Sequence, residues 1–457
     1  MAKASTQFTC QACGAFFPRW VGRCTSCGAW NTLVEEAAPK RSASLAPQDA
    51  SLPTLAARAQ RVGEVDADHA ARLPTGIGEL DRVLGGGAVL GGVTLVGGDP
   101  GVGKSTLLMQ ALAGLAAQGH RSLYVSGEES AGQTAARARR LGAMHDELLV
   151  LAENDIDAIE AVVREVKPTA IVVDSVQTMR VGTLESAAGT VSQLREVAAR
   201  MVERSKQGRI ATFLVGHVTK DGVLAGPKVL EHLVDTVLAF EGERGHAFRA
   251  LRTQKNRFGS ATEVGVFEMT ADGMREVKSP SALFLAERPH GASGSVVAAT
   301  SEGSRPMLVE VQALVGPFAV GSARRTANGV DGARLAMILA VLERKCGLAL
   351  TGADVFLNLA GGVRVEEPAI DLAVALAVAS SLRDRPVLED AIVFGEIGLA
   401  GEVRGVARAQ PRLAEAATMG FRRAIIPASQ KQAAEGLGGQ LEIVGVRSVE
   451  EALAAIF

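Results

Sequence analysis

The run GDPGVGKS, residues 98–105, constrains this chain more than any other feature. It is a complete GxxxxGK[ST] loop, entered from the apolar run VTLV at 93–96 and left through the helix-forming run TLLMQAL at 106–112. In a strand–loop–helix setting, such glycines let successive backbone N–H groups turn onto phosphate oxygens. Gly98, Asp99, Pro100, Gly101, Val102 and Gly103 make the loop, and Thr106 opens the following helix. Lys104 is placed to neutralise β- and γ-phosphates, and the Ser105 hydroxyl to ligate Mg²⁺.

The surrounding pattern agrees. From 71 to 278, short apolar runs alternate with helical stretches, the texture of a mainly parallel α/β sheet. The run at 122–126 ends in Gly127, Glu128 and Glu129. A carboxylate at the C-terminal edge of a strand neighbouring the loop's own is suited to orient an attacking water. Glu128 is the first choice and Glu129 stays open. The run at 170–174 ends in Asp174, the Walker B pattern, which would hold Mg²⁺ directly or through water. The run at 211–215 ends in Gly216 and His217, where a polar residue can sense a γ-phosphate, although a lone histidine is more often structural. The cofactors expected are ATP and Mg²⁺, and the reaction is phosphoryl transfer to water.

Four of the five cysteines fall in the first 35 residues, as Cys10/Cys13 and Cys24/Cys27, each pair followed by glycine. Two residues between thiolates let one tight turn aim both sulfurs at a single ion, and two such knuckles close a tetrahedral site. A four-cysteine structural Zn²⁺ ribbon is expected over 1–35, with an Ala/Pro/Ser/Arg-rich linker over 36–70. Cys346, in an apolar helical run, reads as a small core residue.

The 457 residues exceed one ordinary core, so two or three domains are expected. A hydrophobic fraction of 47% with 21% charged residues is that of a soluble globular protein. No signal core or bilayer-length apolar run is present, so no membrane partner and a cytoplasmic location are expected. A net charge of −2 argues against a uniformly basic DNA-coating protein, and one Tyr with two Trp argues against an aromatic stacking platform.

The segment TGIGELD at 75–81, the LGGG at 84–87 and the loop that follows resemble the RecA/KaiC superfamily. With the cysteine ribbon, the run KNRFG at 255–259 and the C-terminal half, the whole chain resembles the RadA (Sms) family of bacterial DNA-repair ATPases. That resemblance implies a DNA-stimulated, helicase-like ATPase, a homo-oligomeric ring expected to be a hexamer. It would act on single-stranded and branched DNA in recombination and repair, promoting branch migration alongside the recombinase RecA. It implies catalytic roles for Lys104, Glu128, Asp174 and His217. Lys255 and Arg257 would reach a neighbouring subunit's γ-phosphate. It also places two DNA-facing loops, one after Asp174 carrying Arg180, the other after His217 carrying Lys220 and Lys228. A KaiC-like signalling ATPase without a DNA substrate is the alternative.

Residues 279–457 resemble the Lon protease domain, in the run NLAGGVRVEEPAID at 358–371 and in GEIGLAG at 395–401. Ala369 stands where Lon carries its serine and Gln410 where it carries its lysine, so Ser–Lys chemistry is not available. This α/β domain is expected to be a proteolytically inactive platform, with Arg324, Arg325 and Arg334 as candidate phosphate contacts.

Overall fold

The computed structural model describes residues 6–11, 14–37, 71–216, 229–242, 248–318, 323–362, 364–434 and 441–457. Cys13, His217, Lys220, Lys228 and most of the expected linker lie outside them. The chain divides into two compact units, Met1–Glu276 and Val277–Phe457.

The first unit opens with β1 (Thr6–Cys10), β2 (Phe16–Phe17) and β3 (Leu33–Ala37), an antiparallel sheet in the order β2-β1-β3. Next come β4 (Arg72–Leu73), α1 (Gly78–Leu84), β5 (Ala88–Val89), β6 (Val93–Gly98) and α2 (Lys104–Ala117). They are followed by β7 (Ser122–Ser126), α3 (Ala131–Arg140), β8 (Leu148–Ala152), α4 (Ile156–Val166) and β9 (Ala170–Asp174). The unit continues with α5 (Val191–Gly208), β10 (Ala211–Val215), α6 (Val229–Leu233) and β11 (Thr236–Glu241). It closes with β12 (Phe248–Asn256), β13 (Val264–Thr270) and β14 (Gly273–Glu276).

Nine of these strands form one sheet, β14-β13-β12-β11-β6-β10-β9-β7-β8. The six from β8 to β11 are parallel, and β12 to β14 extend them antiparallel. Strands buried on both faces must be apolar throughout, and period-2 alternation then sends successive side chains to different cores. Val172, Phe213 and Tyr124 pack on the face carrying α1 and α2. Ile171, Val173, Leu214 and Val125 pack on the face carrying α4 and α5. Asp174 continues the register of Val172 and therefore comes out on the α2 face, where the phosphate loop is.

The TGIGELD segment has a local structural task. Asp81 Oδ1 accepts from both the N–H and the hydroxyl of Thr75 at 2.8 Å, closing the turn that leads into α1. Glu79, buried, accepts from the N–H of Val266 on β13.

In the second unit the order is α7 (Pro280–Leu285), β15 (Ser295–Glu302), β16 (Arg305–Phe318), β17 (Arg325–Asn328), α8 (Gly332–Cys346) and β18 (Ala353–Leu359). Then follow α9 (Asp371–Leu382), β19 (Ala391–Val393), β20 (Glu396–Ile397), β21 (Val403–Arg404), α10 (Ala409–Thr418), β22 (Arg423–Pro427), β23 (Glu442–Val446) and α11 (Val449–Ile456). Seven strands form a mixed sheet in the order β17-β18-β16-β15-β19-β22-β23. The helix α9 is apolar on every side and buried from Asp371 to Ser380, which makes it the centre of this unit. Cys346 is the last residue of α8 and only half-buried, not a core residue, because the helix ends there against Gly347 in the left-handed conformation.

Two ion pairs organise this unit. Arg334 holds the fully buried Asp371 in a fork, and Asp371 also accepts from the Ile397 N–H at 3.1 Å. Arg412, 1% exposed on α10, forks onto Glu367 at 2.7 and 2.6 Å and donates to the Ala299 carbonyl. Removing one partner of a buried pair leaves the other's charge desolvated, at a cost of about 3–5 kcal/mol. Because Glu367 stays partly exposed, Arg412→Ala is expected to destabilise this unit by about 2–3 kcal/mol in urea unfolding, the size of lost hydrogen bonds to a charged group. Arg364→Ala, whose pair with Glu366 is exposed, should cost under about 1 kcal/mol.

Candidate active site

The parallel strands end at one edge of the sheet, and the chemistry-bearing residues collect there. Gly98 ends β6, and the loop turns through Gly103, whose φ of 112° suits only glycine. A Cβ on Gly103 would also lie 2.3 Å from Met274 Cε. Over the loop's outer curve the space at Gly101 is open, with nothing within 4 Å of a Cβ built there. Lys104 is buried, and its ammonium lies along the loop, donating to the carbonyls of Gly98 at 2.6 Å and Asp99 at 3.0 Å. Burial lowers its pKa, while Asp174, Asp99 and Glu128 pull it back up. A glycine-permitted turn with a lysine ammonium lying along it fits a polyphosphate.

Asp174 and Glu128 stand together. Ser126 pairs with Asp174 across β7 and β9, and the Gly127 N–H donates to the Asp174 carbonyl at 2.8 Å. The Ser175 hydroxyl donates to Glu128. A Cβ on Gly127 would meet Thr178 Oγ1 at 2.3 Å, so glycine lets the Glu128 turn lie against the segment after Asp174. The strand carrying Glu128 is not the neighbour of the loop strand β6 that the pattern suggested, because β10 and β9 stand between them. Glu128 reaches the site through the turn after β7.

Three residues that motif reading passed over complete the cluster. Tyr124, fully buried on β7, donates its hydroxyl to Asp174 Oδ2. Arg137 on α3 donates to the Tyr124 oxygen at 3.2 Å, lies 3.9 Å from Asp174 and is ion-paired with Glu129. Burial first, and the Asp174 charge second, push the Tyr124 phenol far above its usual value. Of the two glutamates, Glu129 is tied to Arg137, whereas Glu128 faces the Asp174–Ser175 turn. The signal for Tyr124 was in the sequence, since it is the single tyrosine and lies at the period of Ser122 and Ser126, the polar residues of its strand. Nothing local marked Arg137 or Ser175.

Lys255 and Arg257 are elsewhere. Lys255 and Asn256 belong to β12 itself, where Asn256 pairs with Thr236 at the beginning of β11. This is the edge at which the parallel strands start, and the length of β6 separates it from Gly98. At about 3.3 Å per residue that is roughly 15 Å of sheet. Lys255 Nζ donates to the carbonyls of Glu231 and Val234, at 2.6 and 2.8 Å. Arg257 is half-exposed and donates to Asp235 Oδ1 at 3.0 Å, while Asp235 Oδ2 accepts from the Val93 N–H.

Of the described candidate phosphate contacts, Arg180 is exposed near Asp155, and Arg325 is exposed on edge strand β17. Arg324 forks onto Asp354, and Arg334 is held by Asp371, so that guanidinium is committed to the fold.

In the ribbon, the two knuckles repeat one hydrogen-bond pattern. Gly14 and Gly28 N–H donate to the carbonyls of Cys10 and Cys24, each at 2.8 Å, and Cys10 and Cys24 N–H donate to Ala15 and Ala29. The Sγ atoms of Cys10, Cys24 and Cys27 lie within 4.8 Å of one another, Cys10 and Cys27 at 3.8 Å. A tetrahedron with arms of about 2.3 Å has edges of about 3.8 Å, so this donor set fits a thiolate-bound metal.

Comparison with known proteins agrees with this geometry. Residues 58–223 match the family model described as AAA domain, 332–430 that of subunit ChlI of Mg-chelatase, and 8–35 a rubredoxin metal binding domain. The chain is 53% identical over its full length to DNA repair protein RadA of Pseudomonas aeruginosa, covering 100% of that protein. The chain belongs to the RadA family of DNA repair proteins. It is 48% identical to the RadA proteins of Bacillus subtilis and Listeria monocytogenes, over 99% of this chain and 99% and 98% of theirs. The fold is therefore that of an N-terminal ribbon, a RecA-like P-loop ATPase core and a Lon-like C-terminal domain. No helix among the described residues is long and apolar enough to cross a membrane.

The two glutamates can be separated by experiment. If Glu128 is the positioned base, Glu128→Gln is expected to keep nucleotide binding and to lower the steady-state ATPase rate about a hundredfold or more. Glu129→Gln should cost less than about tenfold, because that side chain is held by Arg137. Equal losses would give the two residues a shared role.

Proposed function

We propose that this RadA-family ATPase is a DNA-stimulated motor that assembles as a ring, expected to be a hexamer. In this reading it acts in the cytoplasm on single-stranded and branched DNA during recombination and repair. It would move along DNA in the manner of a helicase and promote branch migration with RecA. The observation that carries the reading is the separation of Lys255 and Arg257 from their own phosphate loop by the depth of the sheet. Basic residues on that edge can serve a γ-phosphate only in an adjacent subunit, so the catalytic site is complete only when subunits stack edge to edge.

Within each site, Lys104 and the loop N–H groups hold the phosphates. Glu128 orients and accepts a proton from the attacking water, and Asp174 with Ser105 would hold Mg²⁺. Mg²⁺ supplies charge neutralisation on the phosphate oxygens. Lys255 and Arg257 of the adjacent subunit stabilise charge on the transferred group. His217, which follows β10 in the sequence, and the segments carrying Arg180, Lys220 and Lys228 would couple phosphate state to DNA contact. Such contacts are to phosphates, independent of sequence and weakened by salt.

The ribbon metal is proposed to be Zn²⁺ in a closed, structural site completed by Cys13. Trp20 and Trp30, exposed on that ribbon, suit a contact with DNA or a protein partner. The C-terminal unit, with Ala369 buried before α9 and Gln410 exposed on α10, is proposed to serve as a platform without protease activity. Arg324 and Arg325 remain its candidate phosphate contacts.

Steady-state ATPase with and without single-stranded DNA tests the motor reading. Wild type is expected to be stimulated severalfold, with the stimulation falling as salt rises from about 50 to 200 mM. Turnover indifferent to DNA at every salt would reject it in favour of a signalling ATPase.

A further inference from the structure

Tyr124 has no part in the chemistry described above, yet it is fully buried and its one polar atom lies among the groups expected to hold Mg²⁺. Its hydroxyl donates to Asp174 Oδ2 and accepts from Arg137 Nη1, and Ser105 is near enough to act on it electrostatically. Ser105 and Asp174 come from different elements, the start of α2 and the end of β9. The phenol is anchored on the Asp174 side of that pair and has Ser105 for a neighbour. It is held there because Tyr124 lies two residues before Ser126, whose register partner is Asp174, so its ring runs along the sheet on the α2 face toward that carboxylate. Behind the phenol, Arg137 links it to Glu129 in the turn that also carries Glu128.

We propose that Tyr124 is a positioning residue for the magnesium site, a role that rests on the ATPase reading. Holding Oδ2 fixes the rotation of the Asp174 carboxylate and leaves Oδ1 for the metal or its water shell. Arg137 keeps the phenol's oxygen in place and carries the positive charge that three clustered acids, Glu128, Glu129 and Asp174, require before a divalent cation arrives. Magnesium binding should then be felt at Tyr124, and through Arg137 at Glu129.

Nucleotide binding, not turnover, reads this out. The full-length protein is titrated with a fluorescent ADP analogue in excess Mg²⁺ and again in EDTA, and the ratio of the two affinities is the Mg²⁺ contribution. Tyr124→Phe keeps the ring and its packing and removes only the hydroxyl. It is expected to reduce the Mg²⁺ contribution about tenfold, the size of one hydrogen bond to a charged group, with the EDTA affinity within about twofold of wild type. An unchanged Mg²⁺ contribution would overturn the proposal. A second measurement leaves the fold untouched. Because the chain has one tyrosine, 3-fluorotyrosine places a single fluorine in the protein. Its ¹⁹F resonance should move on adding ADP with Mg²⁺ and stay with ADP in EDTA, and a resonance blind to Mg²⁺ would overturn the proposal too. Failure of wild type to bind nucleotide under any condition would remove the ATPase reading itself and this role with it.

Discussion

Strand direction is the constraint on which the rest of this molecule depends. Six parallel strands must all finish at one edge, so residues far apart in the chain arrive together without any loop having to find them. Lys104 and Ser105 follow β6, Glu128 follows β7, and Asp174 ends β9. The period of two decides the face. Asp174 emerges beside α2 because Val172 does, and one residue of slip would bury the carboxylate against α4 and α5 instead. The antiparallel return of β12 obeys the same geometry with the opposite result, delivering Lys255 to Gly259 to the edge where the parallel strands begin.

The C-terminal unit is organised around a different kind of bond. Two residues before Ala369 and two after Gln410, Glu367 and the fully buried Arg412 form a forked ion pair between the segment leading into α9 and the helix α10. Glu367 also accepts from the Thr300 hydroxyl and the Ser301 N–H, so all the charge on it is answered. The segment leading into α9 and the helix α10 are thus joined by a structural bond. A pair of this kind fixes one arrangement of helix and loop, which suits a rigid platform.

How much was legible in the sequence follows from how local each signal is. The phosphate loop, the Walker B strand and both cysteine knuckles are contiguous, and their residue types are required by backbone geometry, as at Gly103, or by ligand chemistry. These could be read directly, and the fold class came with them. The position of β7 could not. Strand order depends on which crossover helix covers which face, and no short window encodes that, so Glu128 was assigned to a neighbouring strand that is in fact β10. Arg334 illustrates a different gap. Its exposed-looking place in DGARL gave no hint of Asp371, thirty-seven residues on, which holds it. The KNRFG run was visible as a motif, but that it lies on the far edge from its own phosphate loop is a statement about sheet topology alone.

The central claim is that each catalytic site is finished by the next subunit. Mixing two inactive variants tests it most directly. Lys104→Ala removes the phosphate-loop lysine and leaves Lys255 and Arg257 intact, while Arg257→Ala does the reverse. Each alone should be nearly devoid of ATPase activity. Mixed in equal amounts and allowed to exchange, one arrangement of neighbours in four joins an intact loop to an intact Arg257, so activity should return to roughly a quarter of wild type. No recovery at any ratio, with co-purification of differently tagged subunits showing that mixed assemblies form, would contradict the account.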